Sequence, residues 1–333
     1  MVKISDVAKQ AGVSPSTVSY VLSGKRSISA QTRRRVEAAI LDLGYRPHAG
    51  ARALASNRSN VIALVLPLRA GMHVPVLMQF AVSVVTTARR FDHDVLLLTA
   101  DEGPGGLRRI NNSALVDGLI LMDVELHDDR IPLLRELERP SVLIGFPADP
   151  TGLTCVDLDF KAAGAACVTH LASLGHKHIA LIGAPEAVYE RGTGFAKRTM
   201  AGFEEAARNC GVQARWTPCE ESGPQVAERV TRLLEEDPEL TGLVVHNEAA
   251  VEAVVAALRA GGRRVPEDVS VVAICPDELA QRADLTSVLV PAEDVGTHAV
   301  SLLMRKLDGG EAPEATLLAP RLTVRASTAA PHQ

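Results

Sequence analysis

A small all-α helix-turn-helix head, followed by an α/β body of two lobes that are each a doubly wound parallel sheet, is the fold class the sequence predicts. Three observations carry it. The first 45 residues hold three short helical segments separated by Gly-containing turns. From residue 61 the texture changes to short apolar runs alternating with amphipathic stretches. The charge is divided as well: residues 1–60 hold ten Lys/Arg against three acids, a net of +7, while the remainder holds 25 basic and 37 acidic side chains, a net of −12.

Ile4, Val7, Ala8 and Ala11 recur at i, i+3, i+4, i+7 and mark the inner face of a first helix, which Gly12 and Val13 interrupt. Ser14 is a favourable N-cap and Pro15 suits N1, where a missing N–H costs nothing, so a second helix begins there. Val18, Val21 and Leu22 face inward, which leaves Ser16, Thr17 and Tyr20 outward near its N-terminal half. A recognition helix presents its base-reading side chains in that half. Ser29 caps a third helix with Val36, Ala39, Ile40 and Leu43 inward and Gly44 as its stop. Lys25, Arg26 and Arg33 to Arg35 are placed to neutralise phosphates, so the basic head is expected to meet a polyanion. The segment 48–56, HAGARALAS, is shorter than the ~12–15 residues at which isolated helices become marginal, so it should fold only when docked. Its Leu54 would then serve as a wedge between base steps in a minor groove.

The apolar runs of the body are 61–67, 95–99, 118–122, 141–145, 179–183, 242–246 and 269–274, with helical spacing between them, as at 76–90 and 225–236. Strand and helix in alternation argue for parallel sheets covered on both faces. About eleven strands divide most naturally into two lobes with a ligand cleft at the carboxyl ends of the strands.

The composition, 47% hydrophobic and 23% charged, is that of a folded globular chain. No stretch reaches the ~18 apolar residues of a membrane helix, and Lys3, Asp6 and Lys9 interrupt any leader, so a cytoplasmic protein is expected. The five cysteines form no C-x-x-C and read as reduced thiols. His176 and His178 read as structural. Gly192-x-Gly194 lacks the third glycine of a dinucleotide loop, and neither G-x-S-x-G nor H-E-x-x-H occurs. No catalytic constellation, metal set or cofactor is expected, and an enzyme is the disfavoured class.

The run ISDVAKQAGVSPSTVSYVLSGKRSISAQTRRRVEAAILDLGYRPHAGARALA resembles the head and hinge of the LacI/GalR family of transcriptional regulators. LGHKHIALIG (174–183), MAGFEEA (200–206), VPEDVSVVAI (265–274), LTSVLVP (285–291) and LTVRAST (322–328) extend the resemblance to that family's periplasmic-binding-protein-like sensor core. It implies a head over 1–46, a hinge over 47–60, an N-lobe over 61–159 plus about 290–325, a C-lobe over 160–289 and a flexible tail over 326–333. It further implies a dimer on a palindromic operator in double-stranded DNA, most often as a repressor. Ser14, Pro15, Ser16, Thr17, Tyr20, Lys25 and Arg26 would contact DNA from the head, and Ala51, Leu54 and Ala55 from the hinge.

By the same resemblance His73, Phe146, Asp159, Arg198 and Asp277 would bind a small-molecule effector, a sugar more readily than a nucleobase. Carboxylates accept from paired hydroxyls, an arginine donates in a fork and an aromatic face covers sugar C–H groups. The chain departs from the family at Phe160, where Asn is usual, at Arg198, shifted by one position, and at Cys275-Pro276-Asp277. Aromatic platforms are few: Phe146, Phe160, Tyr189 and Trp216, the last balanced between core and ligand.

Overall fold

The computed structural model describes residues 2–23, 26–45, 58–113, 115–220 and 223–332. The head is three helices, α1 (Ile4–Ala11), α2 (Pro15–Ser23) and α3 (Ala30–Leu43). Their apolar faces close one small core of Val7, Ala8, Ala11, Val18, Val21, Val36, Ala39 and Tyr45. Gly12 ends α1 at φ 63°, a left-handed conformation that glycine adopts without strain, and Gly44 ends α3 in the same way at φ 59°.

The body contains two six-stranded sheets. The first comprises β1 (Val61–Val65), β2 (Asp94–Leu98), β3 (Gly118–Leu121), β4 (Ser141–Ile144), β5 (Cys155–Leu158) and β11 (Ala315–Leu318), in the order β11-β5-β4-β3-β1-β2 and parallel throughout. The second comprises β6 (His178–Gly183), β7 (Gln213–Pro218), β8 (Gly242–Val245), β9 (Ser270–Cys275), β10 (Thr286–Leu289) and β12 (Leu322–Thr323), in the order β12-β10-β9-β8-β6-β7. Only β12 runs antiparallel to its neighbour. Helices α4 (Val74–Arg90), α5 (Gly103–Asn112) and α6 (Arg130–Glu136) connect strands of the first sheet. Helices α7 (Phe160–Ser173), α8 (Glu186–Glu190), α9 (Gly194–Cys210), α10 (Gly223–Glu236), α11 (Val251–Ala260) and α12 (Asp277–Arg282) serve the second, and α13 (Ala292–Leu307) returns the chain to the first. The central strands are buried along their length, which is why they read as unbroken apolar runs.

The chain passes between the sheets three times, after β5, after β10 and after β11. The last passage corrects the sequence reading of the C-terminus. Residues 322–325 do not remain with the first lobe, and 326–333 is not a loose tail over its described part. Ser327 is buried; its carbonyl accepts from Val271 N at 2.8 Å and its hydroxyl from Thr286 N at 2.8 Å. Ala329 O accepts from Ser270 Oγ at 3.1 Å and lies 3.0 Å from His176 Nε2. The segment satisfies backbone groups of β9 and β10 that would otherwise be unpaired, yet its pairing is too short and too polar to carry a strand's alternation. His176 is thereby tied to the C-terminus, and His178 Nδ1 lies 3.0 Å from Asp237 Oδ1, so both are hydrogen-bonded within the second lobe.

Helices α7 and α9 approach each other so closely that their contact is backbone against backbone. A Cβ on Gly202 would lie 1.9 Å from Lys161 O, and one on Gly164 would lie 2.3 Å from Thr199 O. Phe203 beside this crossing is fully buried. The glycines of the D-x-x-x-x-G and MAGF patterns are therefore the meeting surfaces of two helices.

Candidate functional site

Two regions of the molecule are built for recognition, and the first is the head. Ser14 sits before α2, with its Oγ accepting from Thr17 N at 3.2 Å, so it caps the helix as well as lying on the exposed surface. Pro15 and Ser16 are exposed, and Thr17 and Tyr20 are half-buried beside them. The Arg26 guanidinium carbon stands 5.7 Å from the centre of the Tyr20 ring. The N-terminal half of α2 thus presents small hydroxyls, an aromatic ring and a cation on one side, a surface suited to base edges and phosphates. Lys25, Ala51, Leu54 and Ala55, and with them most of the expected hinge, lie outside the described residues.

Arg35 has a different role from the phosphate contact that the basic run suggests. Its Nε donates to Ala11 O at 3.1 Å and its Nη2 to Gly12 O at 3.0 Å, with a further contact from Nη2 to Ala11 O. These carbonyls end α1, where the helix dipole favours a cation, so Arg35 ties α3 across the turn between α1 and α2. A charge-assisted hydrogen bond contributes ~1.5–3 kcal/mol, a large share of what a three-helix core of this size can supply. Arg35→Ala is expected to increase amide exchange across residues 4–43 and lower DNA affinity, whereas Arg34→Ala should lower affinity with exchange unchanged. Equal exchange in the two variants would refute the structural role.

The second region is a cavity of about 110 Å³ between the lobes, several times the ~10–15 Å³ that admits one water. Its polar side chains are His73, Asp123, Asp157, Arg191, His246, Asn247 and Glu248, set among apolar groups that include Met72, Phe80, Ile144, Phe160, Val188 and Phe195. On the first-lobe side Asp123 follows β3 at φ 52°, a strained backbone of the kind that gathers at functional sites. Its Oδ2 accepts from Arg69 Nη1 at 2.9 Å, and Arg69 also holds Asp101 and Glu125. Burial nevertheless pushes the Asp123 carboxyl upward against the pull of Arg69. Asp157, on β5, is pushed up to about 7 by burial. On the second-lobe side burial lowers His246 to about 4, which keeps its imidazole neutral. The Phe160, Phe195 and His246 rings have mutual centroid distances of 5.5 to 5.6 Å and form one aromatic cluster.

One side of the cleft is closed by backbone contacts across the lobes. Leu126 N donates to Gly192 O at 2.8 Å and Gly194 N to Val124 O at 2.9 Å. A Cβ on Gly194 would stand 2.8 Å from Phe146 O, so a larger residue would hold the lobes apart here. Arg191 Nη1 donates to Ala70 O at 2.8 Å, and Arg198 Nη2 to Pro147 O at 2.9 Å.

Of the five effector residues expected from the sequence, the structure brings only His73 to the cavity lining. Phe146 is buried in the first-lobe core with the Arg198 guanidinium 5.6 Å from its ring centre, and Arg198 is spent on the carbonyls of Phe146 and Pro147. Asp159 caps α7, accepting from Ala162 N at 2.9 Å. Asp277 pairs with Arg325 and lines a separate groove beside α4. Asp159 opens the first passage between the lobes, directly after β5. Trp216 lies outside the cavity, its ring centre 5.0 Å from that of Tyr189 and tilted 42° to it. Of the lining residues that sequence reasoning missed, Asp123, His246, Asn247 and Glu248 lie just beyond strand ends, Arg191 stands next to Gly192, and Asp157 is within β5 near its carboxyl end. Those positions are the one signal that pointed to them.

Comparison with known proteins agrees with both regions. Residues 3–48 match the family described as bacterial regulatory proteins, lacI family, and residues 168–328 match a periplasmic binding protein-like domain. The chain is 28% identical to catabolite control protein A of Priestia megaterium over 98% of its own length and 99% of that protein's. It resembles the lac repressor bound to ONPG in the repressed state with a TM-score of 0.81 at 25% identity, covering 98% of this chain and 99% of that one. It also resembles the transcriptional regulator CelR in complex with cellobiose, with a TM-score of 0.68 at 26% identity over 98% of this chain and all of that one.

Proposed function

Because the chain belongs to the lacI family of bacterial regulatory proteins, we propose that it is a dimeric operator-binding repressor whose DNA affinity is set by a small molecule held between its lobes. The observation that carries this reading is the pairing of a basic head, within a +7 stretch over residues 1–60 and exposing the first turns of α2, with a cavity lined by both lobes of the attached body. Each head of the homodimer reads one half-site of a palindrome in the major groove, and each good base contact contributes ~1–3 kcal/mol of discrimination. The hinges insert Leu54 at the central step, a bend costing ~1–6 kcal/mol that is offset by the contacts it permits.

A ligand that binds the closed and open lobes unequally shifts their populations, and the spacing of the two hinges shifts with them. The sugar named with CelR makes a sugar or sugar derivative the first class to test here. No helix among the described residues is long and apolar enough to cross a membrane. The proposed site of action is the cytoplasm, where the DNA lies, and the proposed role is regulation without turnover of the ligand.

The test is fluorescence anisotropy of a labelled duplex from the gene's upstream region, titrated with protein in the presence of sugars, sugar acids, sugar phosphates and nucleosides. Specific binding released by one compound establishes an inducible repressor. Binding that appears only with a compound makes the ligand a co-repressor. Absence of specific binding under every condition overturns the proposal. In the same assay Leu54→Ala should weaken operator binding about tenfold or more while leaving non-specific binding nearly unchanged, since only the kinked complex uses the wedge. Equal losses on both duplexes would exclude the wedge.

A further inference from the structure

The cleft contains one guanidinium edge that no protein acceptor meets. Arg191 follows α8 and lines the cavity from the second lobe, with its Nη1 fixed on Ala70 O at 2.8 Å. Its Nε and Nη2 are both buried and have no hydrogen-bond partner. Buried polar groups are nearly always paired, and these are two adjacent donors of one charged group. They form the side of the guanidinium whose parallel N–H bonds match the two oxygens of a carboxylate.

The rest of the cavity is arranged to leave that edge as its open cation. Asp123 gives its Oδ2 to Arg69, and Asp157 Oδ1 accepts from Leu158 N at 2.9 Å. Burial pushes both carboxyls upward, Asp157 to about 7, and Asp123, which feels the charge of Arg191 as well as that of Arg69, is hydrogen-bonded by Arg69 and not by the Arg191 edge. The Phe160, Phe195 and His246 cluster offers a flat surface to the C–H face of a ring, while the Asp, Asn and Glu side chains suit hydroxyls.

We propose that the effector of this protein is a monosaccharide acid, a hexuronate or aldonate, whose carboxylate takes the Nε–Nη2 edge of Arg191. The assignment rests on the reading of the interlobe cavity as the effector site. A phosphate ester fits less well, because Arg191 is the only Arg or Lys among the described lining residues and the ester's second charge would meet no second guanidinium or ammonium.

Isothermal titration of the full-length protein tests this with D-glucuronate, D-galacturonate and D-gluconate against D-glucuronamide, D-glucose and glucose 6-phosphate, with operator anisotropy measured in parallel. At least one acid is expected to bind about tenfold or more tightly than its neutral counterpart and to change operator affinity. Arg191→Met should reduce the acid to the level of the amide, and Arg191→Lys should retain part of the preference. The comparison of acid with amide on the unaltered protein needs no variant, so a folding defect in Arg191→Met would not obscure it. The proposal is overturned if a neutral sugar or glucose 6-phosphate binds as tightly as the acids, if Arg191→Met leaves the acid-to-amide ratio unchanged, or if no acid binds. Operator binding switched by a compound of another class would then leave the ligand-switched regulator standing and remove only the sugar acid. Loss of specific operator binding would remove the regulator reading itself.

Discussion

Gly202→Ala is expected to destabilise the second lobe severely. The added methyl would lie 1.9 Å from the carbonyl oxygen of Lys161, and the obstacle is backbone of α7 rather than a side chain that can turn aside. Relief requires α7 and α9 to move apart, which would open the fully buried contacts of Phe203 and Leu171. Overpacking by flexible neighbours costs ~1–3 kcal/mol, and a backbone clash should reach or exceed the top of that range, against a domain stability of ~5–15 kcal/mol. The measurement is thermal and urea unfolding of the full chain, with Gly105→Ala as the control. Gly105 sits in α5 with nothing within 4 Å of its Cβ position, so alanine there should stabilise by ~0.5–1 kcal/mol. Similar midpoints for the two variants would show that the α7–α9 contact is looser than described.

Asp157→Asn should make the protein more stable at neutral and alkaline pH. Asp157 is buried on β5, its one hydrogen bond comes from the adjacent Leu158 amide, and the Arg198 charge offsets little of the burial. The unfolded chain gives up this proton near the ordinary aspartate value of 3.8, and the folded chain holds it until about 7. Since the folded value is raised for an acid, the penalty is absent below the lower value, grows between the two and is complete above the higher one. A shift of that size amounts to about 4 kcal/mol, an order-of-magnitude figure. The difference in unfolding free energy between Asp157→Asn and the unaltered protein should therefore rise from near zero at pH 4 to its full value at pH 8. A difference that does not vary with pH would mean that Asp157 is already ionised in the folded state. An ionisable group left so costly inside a binding cavity fits a position kept for recognition rather than for stability.

The head shows how much of a small domain is written locally. Ser14, Pro15, Ser29, Gly12 and Gly44 act within a few residues of themselves, and each cap or stop stands where its own chemistry places it. The seven strongest apolar runs likewise became strands; most are buried on both faces, and the edge strand β2, which is partly exposed, is legible from its run of leucines alone. Short or exposed strands gave no such signal: β7 is exposed along most of its length and β12 is two residues long.

The effector cleft was legible as a place and not as a set of side chains. A parallel two-lobed body implies a cavity at its strand ends, but the identity of the wall depends on how the three passages turn and how far each helix start reaches. Asp159 and Arg198 carry the right chemistry for a ligand and are used instead as a helix cap and a strap to Pro147. Arg191, seven residues earlier, is the arginine that lines the cavity. The sequence by itself determined the head, the strands with long apolar runs and the family resemblance, all consequences of local patterning and chain order. Only the tertiary structure decided which arginine lines the interlobe cavity, which acids are pushed upward by burial and where the C-terminus docks. Those properties depend on desolvation and on contacts between residues far apart in the chain, and neither leaves a periodicity to read.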